Sequence, residues 1–204
     1  MKSGSGTMSR RVVFASGNPD KLAEMGALLA DRGLTLVPQA QFTEVAAAET
    51  GDSFAANALI KARHAALASG LPAIADDSGL EVDWLGGAPG VRSARFAGPT
   101  ASDADNNALL LRRLEGIDDE LRTARFRCVL VYLRGPEDAE PLICEGVWSG
   151  RILAGPRGVG GFGYDPLFLV PELGRSAAEL STAEKNLHSH RGQALRALLA
   201  ALRS

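Results

Sequence analysis

Apolar positions along the chain come in short blocks whose spacing alternates between strand-like and helix-like. Arg11 to Ala15 reads as a buried strand. Asn18 and Pro19 then form a helix start, with Asn as the N-cap and Pro at the first helical position. That helix is predicted to run to about Asp31, with Leu22, Met25, Leu28 and Leu29 on one face, and Gly33 stops it. Leu34 to Val37 is a second strand. Asp52 or Ser53 caps a second helix reaching about Ser69, which Gly70 and Pro72 end. A third strand, Ala73 to Ala75, leads into the adjacent carboxylates Asp76 and Asp77. Gly86, Gly87, Pro89 and Gly90 mark turns, and Ser102 opens a helix to about Glu115. Thr123 to Arg134 and Pro141 to Leu153 read as two long strands joined by the polar loop GPEDAE. A glycine-rich loop spans Gly155 to Gly163. Ser181 with Glu184 makes a capping box, and a last helix from about Ser189 carries Leu195, Leu198, Leu199 and Leu202. The alternation predicts an α/β protein with a mixed sheet and leaves parallel and antiparallel pairing open.

A length of 204 residues allows one sizeable core and at most two small lobes. The formal net charge of −2 provides no basic field for nucleic acid or a membrane surface. The N-terminal stretch MKSGSGTMSRR lacks the apolar core of a signal segment. Residues 1–8 are read as a disordered or expression-derived extension, and residues 9–204 as a single domain. Cys128 and Cys144 have no metal-ligand spacing. A hairpin turning near Glu137 would set Cys128 opposite about Val147, so both are expected as buried reduced thiols, which suits the cytoplasm.

The stretch PAIADDSGLEVD carries the sharpest question. Adjacent carboxylates at the end of a buried strand repel each other and cost desolvation energy. Neighbouring strand residues point to opposite sides, so Asp76 and Asp77 share a direction only if Ser78-Gly79 bends the chain. A hard divalent cation would remove the repulsion, and one aspartate could then orient or deprotonate water. The other reading is a turn in which Asp76 caps amides and Asp77 is solvated. The turn SGNPDK leaves two readings as well. A strand–turn–helix junction is a good anion site with Lys21 in reach, and it is also a common connection. Asn57 and Lys61 share one helix face, either turned to the site or solvated.

Gly158, Gly160 and Gly163 fit the spacing G-x-G-x-x-G, but no helix opens at the last glycine and Pro166 follows early. A dinucleotide site is therefore rejected. Phe162 and Tyr164 in that bent loop suit the flat face of a base, or the loop is a plain connection. His188-x-His190 is not a trusted metal spacing. Arg191 near a helix start opposes the dipole, which points to a ligand contact or to a solvated charge cluster.

Five ordered blocks, SGNPDK, ETGDSFAANALIKA, PAIADDSGLEVDWLGGAPGVRSARFAG, GGFGYDPLF and SHRGQAL, together resemble the noncanonical purine nucleoside triphosphate pyrophosphatases, the inosine triphosphatase family. The resemblance covers about Arg11 to Arg203. It implies an elongated mixed sheet flanked by helices, with two lobes and an active-site cleft between them. It implies magnesium-dependent hydrolysis of the α–β phosphoanhydride of ITP, dITP and XTP to the monophosphate and pyrophosphate, by a homodimer. By position it implies phosphate contacts from Ser16, Gly17, Asn18, Pro19, Asp20 and Lys21, with Lys61 beside them. Glu49 and Asp77 match metal-associated acids, with Asp76 next to them, and Asp77 matches the base that activates water. Ser78 matches a substrate contact. Phe162, Gly163, Tyr164, Asp165, Lys185, His190 and Arg191 match base and nucleotide contacts. Selection of the base should rest on its 6-keto oxygen, because adenine's amino group would leave buried donors unpaired. Arg92 stands where some relatives carry an aromatic residue. Rival readings are a pyrophosphatase for pyrimidine or modified triphosphates and a nucleotide-binding regulator without turnover. A nucleic-acid-binding module is least supported, for want of a basic stripe.

Overall fold

The computed structural model of the chain describes residues 10–16, 22, 25, 26, 29 and 33–202. The expected N-terminal extension and most of the first helix lie outside these residues. Leu22, Met25, Gly26 and Leu29 are helical, and Met25 and Leu29 are fully buried. The described strands are β1 (Arg10–Phe14), β2 (Leu34–Pro38), β3 (Ala73–Val82), β4 (Thr123–Leu133), β5 (Leu142–Ile152), β6 (Phe168–Val170) and β7 (Arg175–Ser176). They form one seven-stranded sheet in the order β2-β1-β3-β4-β5-β6-β7. β1 pairs in parallel with β2 and β3, whereas β6 pairs antiparallel with β5 and β7. The sheet is therefore mixed, as the alternation of elements predicts.

Four helices are described in full: α1 (Phe54–Ser69), α2 (Asp103–Arg113), α3 (Thr182–His188) and α4 (His190–Ala201). Of the two candidate caps for α1, Ser53 is the one used; its side chain accepts from the Ala56 amide, and Gly70 closes the helix in the left-handed conformation. α1 buries Phe54, Ala58, Ala62, Ala65 and Ala66. These residues are mostly alanine, which lets the helix lie close against β1. Capping boxes open α2 (Ser102 with Asp105) and α3 (Ser181 with Glu184).

The chain divides into two compact units. One takes the chain up to Asp76 together with Leu130–Cys144 and the residues from Leu198. The other comprises Asp77–Val129 and Glu145–Ala197. β3, β4 and β5 contribute residues to both. The second unit packs Leu80, Val82, Leu110, Phe126, Trp148 and Phe168 into one buried cluster. Phe126 and Phe168 lie 4.5 Å apart between ring centroids.

β3 departs from expectation. The sequence reads the strand as Ala73 to Ala75 and leaves open whether the chain bends at Ser78-Gly79. The strand continues instead to Val82, so Asp76 and Asp77 lie within a strand. The reason is the apolar alternation beyond them: Leu80 and Val82 are fully buried in the second unit's core, and only a continued strand delivers them there. The remaining acids of this stretch have structural partners. Arg125 bonds Glu81 at 2.6 Å and Asp83 at 2.9 Å, and Arg127 bonds Glu81 and Glu145. Those carboxylates hold the Arg125 guanidinium in its charged form.

Cys128 and Cys144 are both buried thiols, and burial pushes the Cys144 thiol up, so it stays protonated. Gly146 on β5 has no room for a side chain: an added Cβ would collide with the His190 carbonyl oxygen and the Ala194 amide of α4. Gly146→Ala is expected to destabilise the protein by about 1–3 kcal/mol, the usual penalty of overpacking. Gly155→Ala, where an added Cβ meets nothing within 4 Å, serves as the control. Urea denaturation of both variants checks the difference.

Candidate active site

Two groups of candidate residues are assembled, one in each unit. In the first, β1 ends at Phe14 and delivers Ala15 and Ser16 to the rim of a cavity of about 440 Å³. β3 supplies Asp76, the segment before α1 supplies Glu49, and α1 supplies Lys61. Gln39 and Thr43 also line it. Lys61 Nζ lies 3.1 Å from Glu49 Oε1. Asn57, one turn earlier, is fully buried and accepts from the Gly51 amide at 2.8 Å. The face shared by Asn57 and Lys61 is thus the one turned to the site. Gly17, Asn18, Pro19, Asp20 and Lys21 lie outside the described residues.

Asp76 is 2 % exposed and Asp77 9 %. In a continuous strand successive side chains leave on opposite faces. Asp76 lines the cavity with Glu49 and Lys61; Asp77 is not among its lining residues. Ser78 is half-buried beside it. Among the described lining residues, the carboxylates Glu44, Glu49 and Asp76 face the single ammonium of Lys61. The formal charge of this wall is negative, which disfavours a bare polyanion and favours one that arrives with a divalent cation.

In the second unit, the glycine-rich loop presents Phe162 half-exposed. Lys185 Nζ lies 5.4 Å and Arg191 Cζ 5.5 Å from its ring centroid. Both distances are in cation–π range. This contact gives the charge of Arg191, 9 % exposed in the first turn of α4, a partner there despite the helix dipole. Asp165 holds the loop in place. Its Oδ2 accepts from Lys185 Nζ at 2.6 Å and from the Phe162 amide at 2.9 Å. Gly161, at φ +73°, must be glycine: besides the left-handed backbone, an added Cβ would collide with Asp165 Oδ2. His190 stacks on Phe126, with 4.9 Å between centroids and 14° between planes. The Tyr164 ring lies in the core, and its hydroxyl donates to the Ser93 carbonyl at 2.8 Å. Burial pushes that phenol up, so it remains a donor.

Comparison with known proteins decides the family. A Ham1 family profile matches residues 12–201. The chain belongs to the Ham1 family. It is 57% identical over 195 residues to the dITP/XTP pyrophosphatase of Pectobacterium atrosepticum, covering 96% of this chain and 99% of that one. It is 54% identical to that of Escherichia coli K12 over the same shares. Among solved structures, a HAM1 protein from Coxiella burnetii superposes with a TM-score of 0.91 at 51% identity, covering 95% of this chain and 98% of that one. The Ham1 protein of Staphylococcus aureus gives 0.87 at 38%, with the same coverage.

This Ham1-family chain also carries supporting residues that sequence reasoning passed over. Asp103 Oδ2 accepts from the Gly163 amide at 2.6 Å, and Asn107 Nδ2 donates to the Gly163 carbonyl at 2.9 Å. The two sit four apart on α2, and that i, i+4 polar pair was the available signal. Gln39 and Thr43 carried no signal, because they lie in a short turn far from any motif.

Phe162 and Tyr164 are neighbours with different surroundings, and their variants should differ accordingly. Tyr164→Phe is expected to cost about 1–2 kcal/mol of stability through the stranded Ser93 carbonyl, with nucleotide KM nearly unchanged. Phe162→Ala is expected to raise KM several-fold at little cost in stability. Denaturant titrations and steady-state kinetics on both variants check this.

Proposed function

We propose that this Ham1-family protein hydrolyses the α–β phosphoanhydride of deaminated purine nucleoside triphosphates, dITP and XTP foremost, to the monophosphate and pyrophosphate. The observation that carries this reading is the near full-length identity, 54–57%, to proteins named dITP/XTP pyrophosphatase. The Ser16–Glu49–Lys61–Asp76 cavity supports it with the chemistry a phosphate chain needs.

Ser16 and Lys61, with Gly17, Asn18, Pro19, Asp20 and Lys21 of the preceding turn, are assigned to the phosphates. Asp77 accepts the proton of the water whose oxygen attacks the α-phosphorus; the Pα–O–Pβ bond breaks and pyrophosphate leaves. Ser78 contacts the same chain. Phe162 gives the base a flat face, with Lys185, His190 and Arg191 around the nucleotide. Asp165, Gly163 and Tyr164 hold that loop in shape.

Magnesium is the assigned cofactor, and the donor set suits it. Among the described residues no group of three or more His, Cys, Asp or Glu side chains is placed to hold a metal ion by itself. Glu49, with Asp77 or Asp76, offers the one or two carboxylates that magnesium takes, leaving its other positions to water and phosphate oxygens. When bound, the ion neutralises and polarises the phosphate oxygens.

The same reading carries a homodimer in the cytoplasm, with residues 9–204 as one catalytic domain and no nucleic-acid or membrane partner. Among the described residues no helix is long and apolar enough to cross a membrane.

Pyrophosphate release from dITP, ITP, XTP, GTP, ATP and dTTP, with magnesium and with a chelator, tests the proposal. Magnesium-dependent release chiefly from dITP, ITP and XTP is expected. Release chiefly from dTTP would move the substrate to pyrimidines, and no release would favour a binding protein. Asp77→Asn is expected to lower kcat by about 10²–10⁴-fold, the usual range for a general base, with the fold intact by circular dichroism. A larger loss in Asp76→Asn than in Asp77→Asn would transfer the base to the aspartate that lines the cavity.

A further inference from the structure

We infer that Asn57 and His64 are positioning residues that hold the segment carrying Glu49 against α1. Asn57, Lys61 and His64 are spaced i, i+4, i+7 and so form one stripe along the helix. Each binds a different point of the segment preceding the helix. The Gly51 amide donates to Asn57 Oδ1 at 2.8 Å. Lys61 Nζ donates to Glu49 Oε1 at 3.1 Å. His64 Nε2 lies 2.8 Å from the Val45 carbonyl oxygen. A carbonyl only accepts, so Nε2 carries the proton. Gln39 Nε2 donates to the same carbonyl at 3.1 Å.

The segment needs such support. Residues 45–51 adopt no regular secondary structure, and Glu44, Val45, Ala46 and Ala48 are exposed. Its local bonds are short-range: Thr50 amide to Ala48 carbonyl, and Val45 amide to Thr43 Oγ1. A stretch with so little buried surface opens readily unless it is pinned from outside. The helix is continuous and well buried on its other face, so its stripe is a rigid template. Gly51 fits it closely: an added Cβ would stand 2.7 Å from Ala56 Cβ and 2.8 Å from Asn57 Oδ1. The stripe therefore fixes where the Glu49 carboxylate stands in the cavity, a metal-holding role that rests on the function proposed above.

The test compares His64→Ala, His64→Gln and Asn57→Ala with the unchanged protein. Amide hydrogen exchange is read without nucleotide, and dITP hydrolysis is titrated with Mg²⁺. In His64→Ala, exchange over 45–51 is expected to rise about five-fold, the factor one ordinary hydrogen bond is worth, with α1 amides unchanged. The Mg²⁺ concentration for half-maximal rate should rise several-fold while kcat at saturating Mg²⁺ holds within about two-fold, since the chemistry itself is untouched. His64→Gln, whose amide can donate from nearly the same place, should restore both. Asn57→Ala should raise exchange most at Gly51; if this fully buried site does not fold when altered, His64 still decides. Unchanged exchange in His64→Ala, no rescue by His64→Gln, or faster exchange with unaltered Mg²⁺ dependence would each overturn the inference. Inactivity of the unchanged protein towards dITP would count against the functional reading alone, because exchange needs no substrate.

Discussion

Burying two carboxylates side by side within a sheet strand is the constraint on which this structure turns. An isolated ionised carboxylate is costly in an apolar interior, and two adjacent ones add mutual repulsion. Asp76 and Asp77 are nonetheless nearly inaccessible in the middle of β3. The strand tolerates them because its other residues are held firmly. Ala73 and Ile74 pair in parallel with Val13 and Phe14, and Leu80 and Val82 anchor the far end in an aromatic core. The apolar ends thus support a polar middle that local preference alone would not keep extended. The outer acids Glu81 and Asp83 are paired with Arg125 and Arg127, which hold the strand's far end in place.

The surroundings of each aspartate then differ for a geometric reason. Alternation in an extended strand separates neighbours by face, so one acid lines the cavity with Glu49 and Lys61 and the other does not. Two carboxylates with different neighbours can take different tasks, one associated with a cation and one with a proton. A bend at Ser78-Gly79 would have given both the same environment and less reason to divide the work.

Much of this was legible in the sequence, where physics and pattern agree. Strands β1, β2, β4 and β5 follow from apolar runs, and α1, α2 and α3 from Ser53, Ser102 and Ser181 at their caps. The shared face of Asn57 and Lys61 follows from helical spacing alone. The path of β3 was not legible, because acids and a glycine inside a strand read locally as a turn, and only the distant core partners of Leu80 and Val82 show otherwise. Tyr164 was misleading for a similar reason. An aromatic in a glycine-rich loop suggests a ligand face, yet this one lies in the core with its hydroxyl on the Ser93 carbonyl, while the ring of nearby Phe162 has two cations within cation–π range.

The part of the site that no local pattern announces is the irregular segment carrying Glu49. Its residues, several of them small and exposed, adopt no regular secondary structure, so its geometry is borrowed from α1. Helix spacing makes that loan possible: one stripe of three polar side chains spans about 10 Å at 1.5 Å rise per residue, enough to engage an extended segment at both ends and at its acid. The helix buries an alanine-rich face against β1, so the template is tied to the strand that delivers Ser16. The placement of Glu49 relative to Ser16 is then set by side-chain size at the α1–β1 contact. Enlarging the buried alanine face of α1, as Ala62→Leu would, should displace the template and disturb the cavity even though no residue assigned to nucleotide or metal is altered.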